Sequence, residues 1–86
     1  MGFFWPGIIS PKDGATVNST RLIVLGKTDP NTTVTVNNLL VSVSDNGEFR
    51  KVINVFPGKS TITIKASNKF GRQTIVKKEV LIKSGT

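Results

Sequence analysis

Between Asp45 and Ala66 the chain alternates apolar and polar residues with a period of two, and this pattern is broken only by residues that reverse a backbone. Asp45, Asn46 and Gly47 supply an opening turn, and Phe49, Ile53 and Val55 then share one parity. Phe56, Pro57, Gly58 and Lys59 make a second turn, after which Ile62, Ile64 and Ala66 resume the pattern. An extended chain points successive side chains to opposite faces, so the alternation buries one set and leaves the other in water. A helix would require apolar residues every three or four positions, and no such period occurs anywhere in the sequence. The spacing predicts a β-hairpin over this stretch.

The remainder reads the same way. Ser10-Pro11-Lys12-Asp13-Gly14 is turn chemistry, followed by a short strand at Thr16 and Val17. From Thr20 to Thr28 a longer strand passes through Leu22, Ile23, Val24 and Leu25, and its near-continuous apolar run predicts a central position. Gly26 within it allows a close approach by another group. After Asp29-Pro30-Asn31, Val34 and Val36 point inward and Asn37-Asn38 closes a tight hairpin, because Asn tolerates left-handed backbone. Leu39, Val41 and Val43 continue as a strand. Asn68-Lys69-Phe70-Gly71 turns the chain into a last strand from Gln73 to Lys83, with Val76, Val80 and Ile82 on one parity. Seven to eight short strands with turns every 8–12 residues or so predict an all-β antiparallel sandwich.

Eighty-six residues make one domain, near the lower size limit for a core without covalent staples. There is no cysteine, so disulfides and thiolate metal sites are excluded. There is no histidine either, which removes the commonest general base and metal ligand. No apolar run reaches the roughly 20 residues that span a bilayer. The net charge of +7 is uneven. Up to Phe49, three bases face four acids; from Arg50 onward nine bases face Glu79 alone.

Ile9-Ser10-Pro11 with Asp13-Gly14, then Leu22, Val24, Gly26, Pro30, Val34, Val36 and Asn37, form a specific series. It continues through Gly47, Phe49, Ile53, Val55, Gly58, Ile62, Ile64, Ala66 and Gly71. In combination these residues resemble the bacterial immunoglobulin-like domains of the glucodextranase domain-B type, related in shape to fibronectin type III modules. The match runs from about Ile8 to Ile82. Ser60 and Arg72 depart from it, each standing where the family commonly has Asn. The resemblance implies an immunoglobulin-like sandwich with Greek-key connections, in an accessory, non-catalytic module of a secreted or cell-surface bacterial protein. Such modules act as spacers or in adhesion or docking. The expected organisation is a lead-in over residues 1–7, one sandwich over 8–83 and a tail over 84–86, as a segment of a larger protein.

Chemistry-bearing groups are few. Ser and Thr have no identifiable base, and Asp13, Asp29 and Asp45 sit in turns where carboxylates bond their own backbone. An enzyme is not expected, nor a cofactor or catalytic residue. Asp45, Asn46 and Glu48 are oxygen-rich but fall short of a calcium loop in ligand count, so no metal site is assigned. Outward positions Arg50, Lys65, Lys77 and Lys83 form a candidate surface for anions or a partner, and a polyanion- or glycan-binding domain is the alternative reading. Expected partners are neighbouring domains or cell-surface polymers, with the isolated domain monomeric. Nucleic acid fits poorly, since Phe56 and Phe70 are the basic half's only rings and both are expected to pack in the core or against turns. Phe3, Phe4 and Trp5 form a candidate N-terminal contact. They read as the lead-in to a first edge strand, as a membrane-flanking stub, or as a docking surface.

Overall fold

The computed structural model describes residues 7–83, so the readings made for Phe3, Phe4 and Trp5 and for the tail lie outside the described residues. Eight strands follow one another: β1 (Gly7–Ser10), β2 (Ala15–Val17), β3 (Arg21–Lys27), β4 (Thr33–Val36), β5 (Leu39–Val41), β6 (Glu48–Asn54), β7 (Gly58–Ser67) and β8 (Gln73–Ile82). They form two sheets, one ordered β1-β3-β6 and the other β2-β8-β7-β4-β5. All pairings are antiparallel except β2 with β8. The first strand begins at Gly7, one residue ahead of the expected sandwich boundary.

The expected hairpin over Asp45–Ala66 does not form. Its two arms belong to different sheets, β6 pairing with β3 and β7 with β4 and β8. Val55 instead leaves β6 with its amide donating to the Thr20 carbonyl (2.8 Å), and Phe56-Pro57 carry the chain across to the other sheet. Alternation assigns a side chain to the inner or outer face, and that assignment is correct here: Phe49, Ile53 and Val55 are buried, as are Ile62, Ile64 and Ala66. It carries no information on which strand supplies the hydrogen bonds. A short inter-sheet arch and a hairpin leave the same signature in the sequence.

The hairpins that do form are β4 to β5 and β7 to β8. Asn37 and Asn38 take φ of 49° and 69°, the left-handed pair that a two-residue turn needs to follow strand twist. Asn37 also exchanges bonds with Thr63, its amide donating to the Thr63 carbonyl (2.8 Å) and its Oδ1 accepting from the Thr63 amide (2.9 Å). β5 ends at Val41, earlier than expected, because Val43 switches sheets and bridges Phe49.

The core lies between the sheets. Val34 faces Ala66 and Val36 faces Ile64 across β4 and β7, and Leu22 faces Ile53 across β3 and β6. All six are buried. β3 is central to its three-stranded sheet, yet its burial alternates, with Ile23 41% exposed on the outer face. Two lysines carry inward parity, Lys51 and Lys78, and each remains half-buried on a stretch of strand with an open edge. An inward charge at an open edge obstructs pairing with a further strand.

Gly26 and Phe49 are register partners, and the aromatic ring occupies the space a side chain would take at residue 26. A Cβ there would overlap the ring, with Phe49 Cε2 at 2.8 Å and the Gly7 carbonyl oxygen at 2.9 Å. Phe49→Ala is expected to cost about 3–5 kcal/mol through cavity creation, and Gly26→Ala about 1–3 kcal/mol through overpacking. Urea unfolding measures both. In a Phe49→Leu background the Gly26→Ala penalty should shrink, since most of what it collides with is gone.

Candidate functional site

The long β7–β8 hairpin places its odd-numbered residues on the outer face of the five-stranded sheet. Lys65 lies there directly opposite Ile75 on β8 and Thr35 on β4, and Lys77 lies opposite Thr63. Lys65 and Lys77 are diagonal neighbours, about 7–8 Å apart at that geometry. Lys83 continues the parity just past β8, its amide donating to the Val17 carbonyl (2.8 Å). Three of the four expected cations therefore share one face.

Arg50 does not. It projects from β6 opposite Leu25, on the outer face of the other sheet, with the whole sandwich between it and the lysines. Residue 59 was read as part of a turn; Lys59 instead lies within β7, just after its first residue Gly58, opposite Leu81 and on the same face as Lys65. Its parity with Thr61 and Thr63 is the signal that reveals it.

The same face carries Thr16, Thr35, Thr61 and Thr63, with Leu40, Ile75 and Leu81 exposed among them. Glu79, opposite Thr61, is its one carboxylate on the hairpin, and the Glu79 amide donates to Asp13 Oδ1 (2.9 Å). Phe56 and Phe70 are not packed in the core or against turns as expected. They are 87% and 81% exposed, at the arch and at the β7–β8 turn, and neither lies over the lysines. Lys69 Nζ sits 5.5 Å from the Phe70 ring centroid.

A shallow cleft at the Gly7 end lies between Asp29–Thr32 and Asn68–Phe70. Asn68 organises the second of these turns, its Oδ1 accepting from the amides of Phe70 (2.9 Å) and Arg72 (3.0 Å). The oxygen-rich Asp45 turn is likewise closed on itself: Ser44 Oγ donates to Asn46 Oδ1 (2.6 Å) and accepts from the Glu48 amide (3.0 Å). Among the described residues no group of three or more acidic side chains converges where a cation could be held. No helix of the described residues is long and apolar enough to cross a membrane.

A three-stranded sheet packed on a five-stranded one, with β2 pairing parallel to β8, defines the immunoglobulin-like and fibronectin III-like class of sandwich. Residues 7–84 match the family described as glucodextranase, domain B, and the chain belongs to that family. The fold is similar to a structure from Clostridium thermocellum, titled "Structures of Clostridium thermocellum CbhA fibronectin(III)-like modules". The TM-score is 0.69 at 10% identity, over 95% of this chain and 100% of that one. Comparison with curated proteins finds no match.

Asn68→Ala removes the acceptor of both turn amides and is expected to cost about 1 kcal/mol, since each bond is exposed to competing water. Hydrogen exchange checks the local origin: the Phe70 and Arg72 amides should lose protection while those of Ile62 and Ile64 keep theirs.

Proposed function

We propose that this domain is a non-enzymatic module of a bacterial secreted or cell-surface protein that holds its neighbours apart and in line, and docks them to surface polymers. The observation that carries the reading is where the chain enters and leaves the sandwich. Gly7 pairs with Lys27, at the end where the Thr28 amide donates to the Gly47 carbonyl (2.7 Å). Ile82 pairs with Gly58 at the opposite end, beside the arch that leaves β6. The body between is a rod of 46 × 19 × 19 Å. A domain entered at one end and left at the other adds its long dimension to the chain, as a spacer requires.

Rigidity follows from the same design. A chain tied into two sheets over nearly its full length stretches only by unfolding as a unit. Membership of a family named for one domain of an enzyme supports an accessory part. So does a sequence without histidine or cysteine.

A head-to-tail tandem of two copies tests the spacer reading by small-angle scattering. The expected maximum dimension is roughly twice the single rod of 46 Å. A tandem no longer than one copy, with the rods folded side by side, overturns it.

A further inference from the structure

We propose that the outer face of the five-stranded sheet is a binding strip for a linear anionic polysaccharide, carried by Lys59, Lys65, Lys77 and Lys83. These four side chains zigzag along β7 and β8, and at ~3.3 Å per residue the strip is about 26 Å long. The residues directly opposite them are Leu81 for Lys59, Ile75 and Thr35 for Lys65, and Thr63 for Lys77. None is acidic. On the other sheet Lys27 stands directly opposite Glu48, while Arg21 and Arg50 stand opposite Asn54 and Leu25. Lys65 and Lys77 are diagonal neighbours with no acid directly opposite either of them. An extended polyanion laid along the strip meets both charges.

The occupant is read from what lies between the lysines. Thr35, Thr61 and Thr63 offer hydroxyls that bond to sugar hydroxyls and ring oxygens. Among the described residues no aromatic ring lies on this face, so they offer no stacking platform of the kind that single-stranded nucleic acid uses. Glu79 sits midway and divides the strip into two pairs, so it weakens binding and limits the charge density of the polymer that fits.

The experiment uses heparin oligosaccharides of defined length as the probe and compares variants of equal net charge. Lys65→Gln with Lys77→Gln removes two charges from the strip, and Arg21→Gln with Arg50→Gln removes two from the other face. The strip predicts a loss of about tenfold or more at low salt for the first pair and about threefold or less for the second, with the salt dependence reduced only in the first. Glu79→Gln should tighten binding several-fold, and Asp45→Asn, which adds the same charge at a remote turn, should leave it nearly unchanged. Equal losses from the two double variants would show attraction to net charge alone and overturn the proposal. So would tighter binding to single-stranded DNA or to anionic vesicles than to the oligosaccharide, or no binding at low salt. The spacer reading stands or falls separately, on the length of the tandem.

Discussion

The contact on which this sandwich depends is a phenylalanine ring laid over a glycine. Phe49 and Gly26 are directly opposed on β6 and β3, and the ring fills the volume above residue 26 at the end of the core where β1 also arrives. That fit fixes the β3–β6 register, because a slip of one residue would drive the ring to the outer face and bring Leu25 or Lys27 opposite it. Phe49 also bridges Val43, the residue at which the chain leaves the five-stranded sheet. Phe49 thus serves twice, its ring setting a strand register and its backbone bridging the chain at the crossing between sheets. Gly47 completes the corner: with φ of 85° and the Thr28 carbonyl packed against its Cα, it leaves no room for a side chain.

Much of this was legible in the sequence, and the part that was not has a definite physical cause. Parity along a strand is a local property, read from a few consecutive residues, so the inner faces of β4, β6 and β7 could be assigned without a structure. Pairing is non-local. Pro57-Gly58 marks a place where the chain changes direction, but the same two residues serve a turn within one sheet and an arch between two. The Asn37-Asn38 hairpin was legible because a two-residue left-handed turn leaves no room for an arch. The exposure of Phe56 and Phe70 was not, because each is an apolar residue inside a turn signal, and nothing local says whether the turn folds over it.

The basic surface shows the same division. The structure places Arg50, Lys65, Lys77 and Lys83 each on an outer face. Which outer face depends on the sheet that each strand joins, and this again is a question of pairing. Because β6 belongs with β3, Arg50 is separated from the lysines by the thickness of the sandwich. Lys59 joins them for the converse reason: β7 starts earlier than its turn residues suggest, paired with β8 all the way to Gly58.

A net charge of +7 would by itself support nothing more than solubility and weak attraction to any polyanion. Its distribution argues further. Lys51 and Lys78 occupy inward parity on open edges, where a charge resists pairing with another strand. Lys69 and Arg72 belong to the β7–β8 turn, and Lys27 is matched by Glu48. Each of these cations has a structural setting that accounts for it. The outward lysines of β7 and β8 gather on one face around a single carboxylate, Glu79, with apolar or hydroxyl-bearing partners opposite, while Arg21 and Arg50 lie on the other face opposite Asn54 and Leu25. Positive charge gathered along one face around a single carboxylate is an arrangement that attracts an extended polyanion, and its counterpart is to be sought in what the surface binds.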